Sequence, residues 1–377
     1  MSLNSLRNGY VNGEGKLRID YKFWENRKVL MTGHTGFKGA WFVQLLRSFG
    51  AKVHGFSLPP PSQPSLYERA KLSALLDLEV LGDIRNQSLL KEVIDTVDPD
   101  VVIHMAAQSL VPASYLDPME TWSVNVMGTV SVLEACRRKK AIRVIGIVTS
   151  DKCYWNSGSG DAFKETDTLG GKDPYSASKA SAELVAKSYF YSCLKEENPN
   201  SSLITLRAGN ILGGGDWAAN RLIPDLIRAI VQKQSLGIRM PSAIRPWQYV
   251  LDALLGYSMA LQDAARESGR LDHWNFAPPS ANLEVSHILS LAKEFFPGLE
   301  WDVIDAAANR ESQVLNLDAQ KARQQLGWRS LYHVEEVVQR TLNWYKSHHE
   351  GHNARKLCER EITQVLDDVR SLDQMNV

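Results

Sequence analysis

KVLMTGHTGFKGAWF, residues 28–42, decides the fold: an apolar, β-prone run passes through three glycines into a helical pattern. Gly33, Gly36 and Gly39 stand at the spacing GxxGxxG. A turn this tight needs residues that tolerate positive φ, and a pyrophosphate approaches backbone only where no Cβ intervenes. A helix opening near Gly36 aims its N–H groups and its positive end at phosphate. Glycines also mark ordinary turns, but a strand before them and a helix after them are the context of a dinucleotide loop. Gly33, His34, Thr35, Gly36, Phe37, Lys38 and Gly39 are therefore candidate cofactor contacts. His34 is unusual where small residues are favoured. Its imidazole either points to solvent or meets the cofactor, and beside the pyrophosphate it would crowd the phosphates and loosen binding.

Working outward, further strand-like runs follow at 52–58, 78–83, 101–106, 143–150 and 202–209, with amphipathic helical segments between them. The alternation predicts an α/β Rossmann-type fold, a doubly wound parallel sheet. The runs are apolar almost throughout, as strands covered on both faces are. The expected organisation is a loosely ordered leader (1–26), a nucleotide-binding domain (27–210, with 246–277 returning to it), a smaller interleaved substrate domain (211–245 and 278–350) and a polar tail (351–377) that reads as one surface helix.

Lys plus Arg and Asp plus Glu are equal at 43 each, so no global field favours nucleic acid or an anionic membrane. Any phosphate-bearing ligand must be held by local groups. There is no signal-peptide pattern and no run of ~18 apolar residues, and the four cysteines lack metal-ligand spacing. The chain reads as a cytoplasmic protein with reduced thiols and no metal.

The second strand of such a domain usually ends in an acid that grips the adenosine ribose. Here Ser57 occupies that position, which leaves NAD against NADP undecided by this residue, with NAD the expectation. Asp83 and Ile84 offer a carboxylate and an apolar wall for adenine; Asp83 reads equally as a turn or helix-cap residue. In DPYSASK, Tyr175 and Lys179 stand four apart at a helix start and face one way. Lowering a phenol from ~10 to ~7 takes roughly 4 kcal/mol. A positive charge at ~5 Å gives about 3 kcal/mol at an effective dielectric of 20. Lys179 with an oxidised nicotinamide is expected to supply that. Asp151 and Lys152 follow the fifth strand, where doubly wound sheets place ligands. Eliminating a hydroxyl needs an acid and a base. Asp151 fits the acid, and Lys152 is either the base or an electrostatic clamp on an enolate.

Together GxxGxxG, HMAAQS (104–109), NVMGT (125–129), TSDKCY (149–154), YSASK, RAGNILGGGDW (207–217), RPWQYVLD (245–252) and NRESQVLNLD (309–318) resemble the extended short-chain dehydrogenase/reductase superfamily over about residues 27–345. Ser150-Asp151-Lys152 replaces the Thr-Asp-Glu usual in sugar 4,6-dehydratases, and with GFSLPPPSQPSLYE (55–68) it resembles the CDP-glucose 4,6-dehydratases. The resemblance implies NAD bound with help from Ala106, Ala107, Gln108 and Asn125. It implies a nucleotide-diphosphate sugar held by Ser109, Ser150, Asn210, Arg221, Arg245, Arg310 and Glu311, and a homodimer. It also implies C4 oxidation by Tyr175, water loss across C5–C6 and hydride return to C6. A 4-epimerase would need no acid for elimination, and a non-catalytic nucleotide sensor would be expected to lose Tyr175 or Lys179.

Overall fold

Val29 and Met31 point to one side of the first strand and Leu30 to the other, and all three are fully buried. The same two-sided burial recurs in every strand from Val101 to Leu206, which is why these runs are apolar without alternation. The computed structural model describes residues 19–278, 282–304 and 314–375. Its main sheet has seven strands, β1 (Lys28–Thr32), β2 (Lys52–Ser57), β3 (Leu78–Leu81), β4 (Val101–His104), β5 (Val144–Val148), β6 (Ser202–Ala208) and β7 (Leu271–Phe276). All pair in parallel, in the order β3-β2-β1-β4-β5-β6-β7. The order reverses beside β1, which opens a crevice at the carboxyl ends of β1 and β4.

Helices cover both faces. On one side lie α1 (Phe37–Ser48), and later in the chain α6 (Val250–Arg266) and α7 (Ala354–Met375). On the other lie α2 (Gln87–Val97), α3 (Gly128–Cys136) and α4 (Pro174–Tyr189). Helix α5 (Leu222–Gln232) and the short paired strands Leu236–Ile238 with Trp301–Val303, and Ile244–Pro246 with Asn282–Glu284, build the second lobe above the carboxyl ends. No helix among the described residues is long and apolar enough to cross a membrane.

Two segments differ from the expectation. Residues 19–26 are not loose: a short helix, Tyr21–Trp24, buries Trp24 completely, and Asp20 pairs with Arg266 at 2.6 Å. The C-terminal segment is not a polar tail either. Leu357, Cys358, Ile362, Val365, Leu366 and Val369 form a buried stripe on α7 that joins the core cluster of α1. Its many charges occupy the opposite face, an arrangement that lowers mean hydropathy while leaving the apolar stripe intact.

Candidate active site

Gly33 ends β1 with φ +78°, and a Cβ there would stand 2.6 Å from the Ala106 backbone nitrogen. Only glycine fits that conformation and that approach. A Cβ at Gly39 would meet the Gly33 carbonyl oxygen at 2.2 Å, so this residue lets α1 pack against the loop that precedes it. Gly36 caps α1 without a side chain, leaving the first-turn N–H groups without a side-chain acceptor. This is the backbone cradle a dinucleotide pyrophosphate needs.

The cradle opens into a cavity of about 860 Å³ between the lobes. Gly33, Thr35, Gly36, Phe37, Lys38, Gly39, Ser57, Asp83, Ile84, Ala106, Ala107 and Gln108 line one end. Ser109, Ser150, Asp151, Lys152, Tyr175, Lys179, Asn210, Arg221 and Arg245 line the rest. Arg310 and Glu311 lie outside the described residues. Ser57 is tied by its hydroxyl to Thr35 at 2.8 Å. Asp83 is held below the usual carboxylate range, first by its hydrogen bonds from Arg85, so its charge is largely engaged inside the protein.

Two expected cofactor contacts do something else. The His34 ring turns neither to solvent nor to the cavity. It is fully buried against Gly55, where a Cβ would sit 2.7 Å from the ring, and Nε2 meets Glu79 at 2.7 Å. Burial pushes its pKa down, with Glu79 opposing. The imidazole therefore fastens the glycine loop to β2 and β3 and does not crowd the phosphates. Asn125 is also buried, behind the cavity wall. Its carbonyl accepts from Gln108 N (2.9 Å) and its amide donates to Gln108 O (3.0 Å) and Ser178 Oγ (2.9 Å). It braces the loop after β4 onto α4.

At the chemical end, β5 finishes in Thr149-Ser150-Asp151-Lys152. Ser150 Oγ donates to Asp151 Oδ1 at 2.9 Å, while Asp151 Oδ2 is buried with no partner among the described residues. Lys152 Nζ stands 4.0 Å from Oδ1. Tyr175 and Lys179 are both nearly buried in the first two turns of α4, which Asp173 caps. The depression of the Tyr175 phenol expected from Lys179 together with an oxidised nicotinamide has to work against the phenol's own surroundings. Burial pushes the phenol up to about 12, with Asp151 adding to the rise and with Ser150 and Arg221 pulling it down. The Lys179 ammonium donates instead to the Val148 carbonyl at 3.2 Å. Its own pKa falls to about 8 through burial, partly offset by Glu183. Lys38 is lowered to about 7 by burial and then by repulsion from Lys179 and Arg221, with Asp151 opposing. Three cations converging on one cavity are a local field for an anionic ligand in a chain of zero net charge.

Sequence reasoning overlooked several residues here. Asp216 binds Arg221 at 2.9 Å, and Arg221 also reaches Ser109 at 3.0 Å, bridging the two lobes. Glu183, on α4, is buried and accepts from Thr149, Thr205 and Arg207, locking α4 to the end of β5 and to β6. Arg207 and Asp216 stood within RAGNILGGGDW; Glu183 carried no visible signal.

A model of the GDP-mannose 4,6 dehydratase family matches residues 30–341. The CDP-glucose 4,6-dehydratase of Salmonella typhimurium is 38% identical over 354 residues, covering 92% of this chain and 98% of that protein. A dTDP-glucose 4,6-dehydratase of Xanthomonas campestris pv. campestris is 26% identical over 348 residues, covering 84% and 92%. Among solved structures, MoeE5 in complex with UDP-glucose and NAD superposes with a TM-score of 0.72 at 22% identity, covering 85% of this chain and 99% of that one. The epimerase Mth375 of Methanothermobacter thermautotrophicus gives 0.75 at 22%, covering 88% and 95%. These structures share the fold, and the sequence match goes further: the chain belongs to the GDP-mannose 4,6 dehydratase family.

Proposed function

We propose that this chain is an NAD-dependent nucleotide-sugar 4,6-dehydratase that converts CDP-D-glucose to CDP-4-keto-6-deoxy-D-glucose. The observation that carries the reading is Asp151: a buried carboxyl with one unpartnered oxygen, in the same cavity as Tyr175 and Lys179. An oxidation at C4 needs only the latter two. A carboxyl beside them suits the departure of a hydroxyl as water. The relative at 38% identity, a CDP-glucose 4,6-dehydratase, supports the same reaction and nucleotide.

Gly33, Thr35, Gly36, Phe37, Lys38 and Gly39 would hold the cofactor pyrophosphate, and Ser57, Asp83 and Ile84 its adenosine. Bound NAD supplies a hydride acceptor and a positive ring. Tyr175 takes the proton of the sugar 4-hydroxyl. Moving its phenol from about 12 to neutrality takes ~7 kcal/mol. One charge at ~5 Å gives ~3 kcal/mol. Lys179, one turn further along the same helix, would supply one positive charge toward this, and the ring of bound NAD another. Asp151 protonates the departing 6-hydroxyl. Lys152, at 4.0 Å from Asp151, takes the C5 proton and returns it to C5 as hydride reaches C6. Arg221 and Arg245 hold the diphosphate of the substrate, with Asn210 and Ser109 beside them.

The protein acts as a cytoplasmic homodimer in this reading. Leu116, Met119, Met127, Leu184 and Tyr191, each more than half exposed, give the helical segment 111–127, α4 and the turn that follows α4 an apolar surface for a second copy. Incubation with NAD and a panel of nucleotide-glucoses tests the function. A 4-keto-6-deoxy product is expected, formed fastest from CDP-glucose. No keto product from any of them would refute the reading.

A further inference from the structure

A long side chain that is free in solvent loses rotamer freedom when it closes on a ligand, and that loss weakens binding. Arg221 stands one residue before α5, on the second lobe, with a third of its side chain exposed. It is nevertheless held at both ends of its guanidinium. Nη1 donates to Asp216 Oδ2 at 2.9 Å, and Nη2 donates across the cavity to Ser109 Oγ at 3.0 Å. The two partners differ in kind. Asp216 is a carboxylate, 6% exposed, whose other oxygen accepts from the Ala218 N–H at 3.0 Å. Ser109 is a neutral hydroxyl on an exposed residue in the loop after β4. A phosphate oxygen outcompetes a hydroxyl for a guanidinium N–H but has no such advantage over a carboxylate. A diphosphate entering the cavity therefore displaces Ser109 and leaves Asp216 in place.

Asp216 can serve as an anchor because its own loop is fixed from several sides. Trp41 Nε1, on α1, donates to the Gly214 carbonyl at 2.9 Å. Gly215 has φ +86°, and a Cβ there would stand 2.8 Å from Leu66 Cδ1. The Asp216 carbonyl accepts from the Tyr345 hydroxyl at 2.5 Å, and Trp217 packs edge-on against Trp344 and Tyr345. Arg228, on α5, donates to the carbonyls of Trp217 at 2.9 Å and Ala218 at 3.3 Å. The nucleotide-binding half, α5 and the helix Val334–His349 thus all hold the loop that carries this carboxylate.

We propose that Asp216 is a positioning residue for the substrate diphosphate: it holds one side of the Arg221 guanidinium so that the other side, resting on Ser109, is presented to the phosphate oxygens. This rests on the proposed nucleotide-sugar site and adds to it the group that aims the arginine. A carboxylate beside an anion site has two opposed effects. Acting on the ligand through its charge alone, Asp216 would repel the diphosphate, and removing the charge would tighten binding. Acting through Arg221, it strengthens binding, and removing it loosens the ligand. The two roles differ in sign.

Calorimetric titration of the NAD-loaded protein with CDP, and separately with cytidine, which lacks the phosphates, reads that sign. Arg221→Gln should weaken CDP binding at least ~10-fold, the loss expected for one charge-assisted hydrogen bond. Asp216→Asn should weaken it several-fold. The double variant should bind CDP no more weakly than Arg221→Gln alone, because Asp216 works through Arg221. Cytidine affinity should stay at the wild-type value in all three. Arg221→Lys, which leaves Asp216 untouched and keeps the charge, should also weaken CDP binding, since an ammonium lacks the fork that reaches both partners. CDP bound by Asp216→Asn as tightly as by the wild type, or more tightly, would overturn the proposal. So would additive losses in the double variant, native CDP affinity in Arg221→Lys, or an equal loss for cytidine, the mark of a loop that has merely collapsed. A wild type that binds CDP no better than cytidine would overturn it as well. A wild type that prefers CDP yet forms no keto product from any nucleotide-glucose would refute the dehydration reading alone.

Discussion

Glu183→Gln is the substitution whose cost can be worked most directly from the structure. The carboxylate is fully enclosed on α4, one turn beyond Lys179. Oε1 accepts from Thr149 Oγ1 (2.5 Å) and Arg207 Nε (2.8 Å), and Oε2 from Thr205 Oγ1 (2.7 Å) and Arg207 Nη2 (2.6 Å). Burial alone would push its pKa up, but Arg207 outweighs burial and holds it well below the usual carboxylate range. Glutamine keeps the shape, removes the charge and turns an N–H₂ group toward a guanidinium N–H whichever way the amide sits. Arg207, 1% exposed, is left as an uncompensated buried cation. Breaking such a pair costs ~3–5 kcal/mol. At roughly 2–4 °C per kcal/mol, Tm should fall on the order of 10 °C. Glu183→Leu combined with Arg207→Met removes both charges and should recover most of the loss. Denaturant unfolding of the three proteins makes the comparison. A single variant within ~1 kcal/mol of wild type, or a double variant no more stable than the single, would refute the reasoning.

The remaining predictions concern the site. Lys179 is charged below about 8 and neutral above, so activity that needs the ammonium should be full at lower pH and fall as pH rises through that value. A kcat/KM profile checks this, and because Glu183 holds the lysine pKa up, Glu183→Gln should move the limb to lower pH. Gly55→Ala places a Cβ 2.7 Å from the His34 ring, which is anchored to Glu79, and should cost ~1–3 kcal/mol in unfolding free energy. His34→Ala in that background should relieve it. Asp151→Asn should slow loss of water more than oxidation, so stopped-flow absorbance should show reduced cofactor accumulating; equal slowing of both steps would make Asp151 a positioning residue.

Much of the architecture was legible because burial on both faces writes itself into a strand as continuous apolar residues, from Val29 to Leu206. β7 escaped because Asp272, His273 and Asn275 make it polar; their side chains are spent on Lys321, Thr205 and Tyr154. The glycine loop was readable because three backbone constraints fall within seven residues. His34 was not, since its place depends on Gly55 and Glu79, which only sheet pairing brings near. The same holds for Asn125, whose partners Gln108 and Ser178 come from different elements. Helix α7 was readable as a surface helix, but its buried stripe was hidden by composition, the apolar residues diluted among charges. Tyr175 and Lys179 were visible as a pair, but the push that burial gives the phenol depends on what surrounds it in three dimensions.

The central claim is that the hydrogen taken from C4 of the sugar is returned to C6 of the same molecule while water leaves across C5–C6. CDP-glucose deuterated at C4, turned over with NAD in ordinary water, tests this directly by mass and NMR analysis of the product. A 4-keto-6-deoxy sugar with deuterium on the C6 methyl group is the expected product. Deuterium retained at C4 or absent from the product would contradict it.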